Sequence, residues 1–269
     1  MHIIVLIKEV PDMDRVRFNV DEGVVDRKSA GTEVNPFDLN ALEAAVQLKV
    51  QAGGFVTALC MGPPQAEKSL REAIARGADK ALLLSDPAFG GSDTWATSRT
   101  LAAAIRKLEN YDAIFAGEKT VDGDTGQVGA EIAELLAIPH ISYVEKLEWH
   151  EKKGLVAAVS LWDAIYRKTL HGKGLLTFTK TANTPRLPNI RDKMKSRKLT
   201  IPVWHLSDLE GFLDVGETGF SGSPTKVKKI VIPKPLARQG NLYRDDTEKA
   251  LNDLHLLLIS KHYLKEGHA

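Results

Sequence analysis

Short apolar runs alternate with stretches of helical periodicity through the first two thirds of the chain. HIIVLIK (His2–Lys8), GFVTALCM (Gly54–Met61), KALLLS (Lys80–Ser85) and YDAIFAG (Tyr111–Gly117) predict buried strands, and IPHISYV (Ile138–Val144) a fifth. Between them, Leu39, Leu42 and Val46 share one helical face, the stretch from Pro64 to Gly77 reads as a helix closed by glycine, and Leu101, Ile105 and Leu108 mark a third periodic segment. Val128, Ile132, Leu135 and Leu136 align in a fourth. Strands that alternate with helices predict a parallel sheet with right-handed crossovers, and continuously apolar strands are those buried on both faces. The expected fold class is therefore α/β: a doubly wound, mostly parallel sheet with helices on both faces.

Beyond Val144 the pattern changes. EKLEWHEKKGLVAAVSLWD (Glu145–Asp163) predicts antiparallel strands around a Lys-Gly turn, and GLLTFTK (Gly174–Lys180) one more strand. From Asn183 the chain is irregular, rich in proline and basic residues, with a short strand expected in KKIVIP (Lys228–Pro233) and a helix from about Asp245 to Leu264. This predicts a nucleotide-binding domain over residues 1–182 and an extended C-terminal arm over 183–269 that needs a partner surface. The apolar run before Lys8 is too short for a signal peptide or a membrane span, so the expected location is cytoplasmic. A net charge of +1 over 269 residues argues against a general nucleic-acid binder. The single cysteine, Cys60, excludes a disulfide within the chain and a cysteine-based metal cluster.

The chain lacks the P-loop, the dinucleotide glycine fingerprint, the zinc-protease helix motif and the nucleophile elbow, and its histidines lack metal-ligand spacing. Any redox or transfer chemistry would be supplied by a cofactor rather than by catalytic side chains. In doubly wound sheets ligands bind beyond the carboxyl ends of the strands, and three loops lie there. In the first, Asn35, Pro36 and Asp38 fit the N-cap, first and third positions of a helix, with Phe37 between them. Capping and ligand contact both explain that pattern. In the second, Gly90 and Gly91 lead into Ser92, Asp93, Thr94, Thr97, Ser98 and Arg99, which suit a phosphate as well as they suit an ordinary capped, polar helix start. In the third, VDGDTGQVG (Val121–Gly129), glycines open the backbone to a ligand while Asp122 and Asp124 would repel a phosphate placed beside them. The carboxylates are expected to face ribose, adenine or their own backbone, leaving the amides of Gly126 to Gly129 to the phosphate.

Three stretches carry a more specific likeness: VNPFDLNALEAAVQLK, CMGPPQAEKSLREAIARGADKALLL and VDGDTGQVGAEIAELLAIP, in that order and spacing. Over nearly its whole length the chain resembles the β subunit of electron transfer flavoproteins. The resemblance implies an adenine-nucleotide α-hydrolase-like fold and a heterodimer with an α subunit carrying FAD. It also implies a nucleotide held by Leu6, Asn35, Met61 and the run Thr120, Val121, Asp122, Gly123, Asp124, Thr125, Gly126, Gln127, Val128 and Gly129. One version of the family fills this site with AMP. Another holds a second FAD that takes hydride from NADH and splits the electron pair, one electron going to a low-potential acceptor. The shorter acidic loop DGDTGQVG and the stretch SDTWATS, with Ser92, Thr94 and Thr97, resemble the two-flavin, electron-bifurcating version. NTPRLPNI is similar to the segment that recognises acyl-CoA dehydrogenases, which assigns Arg186, Leu187 and Pro188 to partner binding, although the segment is shorter than usual between Arg186 and Leu187. The basic residues that follow would set the encounter rate. A universal-stress-type nucleotide-binding regulator is the alternative from another class. It would account for the first 140 or so residues and leave the basic arm unexplained.

Overall fold

The computed structural model describes residues 1–12, 17–19, 24–26, 31–226, 240, 243, 244 and 246–264. By contact density the chain forms two units, residues 1–229 and 230–269. The first contains β1 (His2–Ile7), β2 (Glu9–Pro11), β3 (Arg17–Asn19), β4 (Val24–Asp26), β5 (Thr32–Val34), α1 (Pro36–Ala52), β6 (Phe55–Met61), α2 (Glu67–Ala75), β7 (Lys80–Leu84), α3 (Thr94–Leu108), β8 (Ala113–Gly117) and α4 (Val128–Leu135). It continues through β9 (His140–His150), β10 (Gly154–Leu161), β11 (Ala164–Leu170), β12 (Gly174–Phe178), α5 (Ile190–Lys198), β13 (Val203–Trp204) and the short α6 (Gly219–Gly222).

The expected architecture is present. A nine-stranded sheet runs β11-β10-β9-β12-β8-β1-β6-β7-β13, parallel from β9 across to β13 and antiparallel through β9, β10 and β11. Alternation along β1 divides the core. Ile3, Val5 and Ile7 pack with Leu42, Val46 and Leu70 of α1 and α2, whereas Ile4 and Leu6 pack with Leu101, Ile105 and Ile132 of α3 and α4. Each fully buried leucine or isoleucine contributes about 1.5–3 kcal/mol. The chain leaves β1 toward β6 and β7 and then returns to β8 on the other side of β1. The crevice between the carboxyl ends of β1 and β8 is therefore the topological switch point.

One boundary differs from the sequence expectation. The fifth strand and the first antiparallel strand are one element, β9. It stays continuous through Tyr143, whose φ of 60° and the adjacent register shift against β12 bend the strand as it passes from parallel to antiparallel pairing. The helix after β8 starts at Val128, so Gly126 belongs to the preceding loop, at φ 66°, and only Gly129 is helical. A Cβ on Gly129 would lie 2.6 Å from Thr177 Cγ2, so this glycine lets α4 pack closely on β12.

Residues 183–226, which open the expected arm, lie on the first unit. Val203 and Trp204 pair with Leu83 and Leu84 at the sheet edge, and Arg71 of α2 donates to the Ser196 carbonyl at 2.6 Å. The strand expected at Lys228–Pro233 falls outside the described residues. In the second unit, α7 (Thr247–Ser260) is capped by Asp246, which accepts from Lys249 N, and leaves Leu251, Leu254 and Leu257 exposed.

Candidate functional site

The switch-point crevice is organised by two polar side chains that burial would make costly were they unpaired. Asn35 and Asp38 are 0% and 5% exposed. Asn35 occupies the N-cap position of α1, as expected, but its side chain makes no capping bond. Its amide donates instead to Asp38 Oδ1 and to the Lys119 carbonyl, each at 2.9 Å, and its oxygen accepts from Val121 N at 3.2 Å. Asp38 reaches both strands of the switch point: Oδ2 accepts from Lys8 N at 2.8 Å, just past β1, and Oδ1 accepts from Gly117 N at 3.2 Å, at the end of β8. The capping geometry anticipated for this pair is thus replaced by a clamp that ties the start of α1 to the loops after β1 and β8. Burial dominates the Asp38 environment and pushes its pKa up to about 7, against the pull of its three donors and the Lys8 ammonium.

The loop from Glu118 to Gln127 lies over this clamp. Asp122 pairs with Lys8 at 2.8 Å and Asp124 with Lys119 at 2.8 Å. Burial raises and Lys8 lowers the Asp122 pKa, and the net result is a lowered one. Both carboxylates therefore pair with lysine ammonium groups, the Asp122 side chain half-buried and the Asp124 side chain exposed. Asp124, at φ 53°, and Gly126, at φ 66°, turn the chain so that α4 begins at Val128 without any side-chain cap on its amides. That leaves an uncapped helix N-terminus beside a glycine-lined loop at the carboxyl edge of the sheet, an arrangement suited to a phosphate. Leu6 lies near the end of β1, and Met61 ends β6 beside it, so both belong to the same edge. Pro36 and Phe37 form the first helical positions of α1, and Lys119 and Lys180 lie over the Phe37 ring.

The second cluster adjoins the first. Thr94 Oγ1 donates to Glu131 Oε1 at 3.2 Å, and Ser98 Oγ to Glu131 Oε2 at 2.8 Å, so the first turns of α3 and α4 are joined through a carboxylate. The remaining polar groups are engaged as well. Asp93 caps α3 by accepting from Ala96 N, Ser92 donates to the Phe89 carbonyl, and Arg99 forms an ion pair with Glu217. Ser223 and Thr225 close over the same turn through Asp93. Thr97 lies half-buried on α3.

A family model described as "Electron transfer flavoprotein domain" matches residues 22–209. The chain belongs to the electron transfer flavoprotein family. It is 41% identical over 265 residues, 98% of this chain and 100% of the relative, to the electron transfer flavoprotein subunit beta of Thermoanaerobacterium thermosaccharolyticum. It is 39% identical over 269 residues, 100% of this chain and 99% of the relative, to subunit CarD of the caffeyl-CoA reductase-Etf complex of Acetobacterium woodii. Protein FixA of Azorhizobium caulinodans is 38% identical over 97% of this chain and 94% of its own length. This likeness to electron transfer flavoprotein β subunits implies an electron-transfer role and an α-subunit partner, and it displaces the universal-stress-type alternative.

The sequence pattern of an electron transfer flavoprotein did not single out Lys8, Gly117, Glu118, Lys119 or Glu131, which complete the crevice. The first four follow or end strands β1 and β8, so the carboxyl-end rule could have found them. Arg186, Leu187 and Pro188 lie elsewhere, between β12 and α5. Leu187 is 84% exposed, whereas the Arg186 guanidinium is bound to Glu43 of α1 at 2.7 Å. No described helix is long and apolar enough to cross a membrane.

Proposed function

We propose that this chain binds FAD at the switch-point crevice, accepts electrons there from NADH, and passes them by way of an α-subunit FAD to or from an acyl-CoA dehydrogenase-type flavoenzyme. One electron of each pair goes to a low-potential acceptor. The observation that carries the nucleotide site is the buried Asn35–Asp38 clamp beside the uncapped, glycine-approached start of α4. In this reading Asn35, Asp38 and the Thr120–Gly129 loop hold the adenosine half, Leu6 and Met61 line it, and the amides at the start of α4 meet a phosphate. Lys8 and Lys119 keep Asp122 and Asp124 away from that phosphate. When bound, FAD supplies hydride acceptance and the release of single electrons; the protein contributes position and electrostatics. The preference for FAD rests on the sequence of the acidic loop and of SDTWATS.

AMP is the second reading, and one observation favours it: Ser92, Thr94, Ser98 and Arg99 are already engaged with protein partners, so the diphosphate of FAD would have to displace Glu217 from Arg99. Denaturing the heterodimer is expected to release two FAD and no AMP, and NADH is expected to bleach the flavin absorbance. One FAD and one AMP, with no bleaching, would replace the first reading by the second.

For assembly, residues 183–269 act as the arm that wraps the α subunit in the cytoplasm. The exposed leucines of α7 support this, since an amphipathic helix with an uncovered apolar face is a helix-in-groove ligand. Leu187 docks the dehydrogenase, with the basic residues of α5 steering the encounter.

A further inference from the structure

Leu187 sits in a stretch without regular backbone, residues 183–189, yet this stretch is not loosely held. Its polar anchors come from two helices of the core. Asn40 of α1 donates to the Asn183 carbonyl at 2.8 Å, and the Asn183 amide donates back to the Asn40 carbonyl at 3.0 Å. One turn further along α1, Glu43 is 6% exposed and accepts three bonds from a single residue. These come from Arg186 N at 3.1 Å and Nε at 2.7 Å onto Oε2, and from a terminal guanidinium nitrogen at 3.0 Å onto Oε1. On the other side, Arg76 of α2 donates to the Arg186 carbonyl at 2.6 Å. Burial alone would raise the Glu43 pKa, but the Arg186 bonds, with one from Gln47 to Oε1, outweigh it and the net direction is down. Arg186 is thus gripped at its amide, its carbonyl and its guanidinium, and the next Cα along the chain, about 3.8 Å away, is that of an exposed leucine.

A long-range, bidentate ion pair on a buried carboxylate has a clear use if the backbone beside it must present a side chain in one direction. Ordering an anchor before the encounter removes part of the entropic penalty of binding. We propose that Glu43 is a positioning residue for partner docking: through Arg186 it fixes the direction in which Leu187 projects, and Arg186 serves this clamp instead of contacting the partner itself. The proposal rests on Leu187 being the docking anchor. It places the cause of docking affinity in a buried acid on α1 that no partner reaches.

Two measurements on the heterodimer test it. Trypsin cuts after arginine, and a gripped Arg186 resists. In the Glu43→Gln variant, which keeps the side-chain shape and leaves one oxygen to face the Arg186 donors, cleavage after Arg186 is expected to accelerate about tenfold. Cleavage after the exposed Lys193 serves as the internal reference. With butyryl-CoA dehydrogenase and butyryl-CoA as the probe, Glu43→Gln is expected to raise KM for the dehydrogenase about tenfold at unchanged kcat. The double variant with Arg186→Gln is expected to be no worse than either single one. Unchanged trypsin sensitivity, or additive effects on KM, would overturn the clamp. The docking reading is tested separately by Leu187→Ala: if that variant raises KM while Glu43→Gln does not, the clamp alone fails; if Leu187→Ala leaves KM unchanged, the docking reading fails and takes this proposal with it.

Discussion

Replacing Gly117 with alanine is expected to strip the chain of its nucleotide and to lower its stability by about 3 kcal/mol. Gly117 ends β8 at the switch point, with its amide on Asp38 Oδ1. A Cβ there would press against Asp38 Oδ1, 2.7 Å from Phe37 Cβ and 2.9 Å from the Phe37 carbonyl carbon. None of these can give way cheaply. Asp38 is tied to β1 by Lys8 N and to Asn35, and the Phe37 carbonyl is part of the first turn of α1. Relief requires moving the start of α1, which breaks the clamp and shifts the Lys119–Val121 backbone that Asn35 holds. The expected drop in melting temperature is roughly 10 °C for a domain of this size, with loss of adenine nucleotide from the denatured extract. Gly216→Ala is the control, since a Cβ at that position meets nothing within 4 Å. Retention of a full complement of nucleotide by Gly117→Ala would mean that the switch-point crevice is not where the nucleotide sits.

The alternation of strands and helices was legible because parallel strands buried on both faces have few ways to be written. The carboxyl-edge rule then pointed to loops that do meet at the switch point. What remained hidden depended on partners distant in sequence. Asn35-Pro36-x-Asp38 reads as a well-formed helix start. Only the meeting of β1 and β8 in space turns the same two polar residues into a clamp between strands. Arg99 reads as a phosphate ligand, and its pairing with Glu217, 118 residues on, leaves no trace in the local sequence. Nothing in the sequence around Arg186 shows that α1 brings Glu43 beneath it. The loop runs on to Gln127 before α4 because Asp124 and Gly126 adopt positive φ, and a non-glycine residue at positive φ leaves no mark in the sequence. The same holds for Tyr143, which lets one strand do the work expected of two.

The stability of the wild type relative to an Asp38→Asn variant is expected to fall by roughly 3 kcal/mol as pH rises from 5 to 8. Burial holds the Asp38 pKa at about 7 in the folded chain, against 3.8 without that environment. Between those values the folded state keeps a proton that the unfolded state has released, so raising the pH favours unfolding. The contribution is fully present below about 3.8 and is lost as the pH passes 7. Over the whole interval it is worth on the order of 4 kcal/mol, and between pH 5 and 8 roughly 3 kcal/mol. The variant does not titrate, but it carries a fixed penalty: one oxygen can still accept from Asn35 and Gly117, whereas the amide nitrogen then faces Lys8 N, donor against donor, at about 1–3 kcal/mol. At pH 5 the wild type has already lost roughly 1.7 kcal/mol, comparable to that penalty, so the two proteins are of similar stability; at pH 8 its loss of about 4 kcal/mol exceeds the penalty and the variant is the more stable. Asp122 and Glu43, whose pKa values are lowered, titrate in both proteins and cancel in the difference, and Cys60, pushed up to about 12 by burial, stays protonated throughout. Urea denaturation of both heterodimers at half-unit steps of pH measures that difference. A constant difference from pH 5 to 8 would show that the three N–H donors outweigh burial and keep Asp38 ionised throughout, so that the clamp holds a carboxylate at every pH where the protein works.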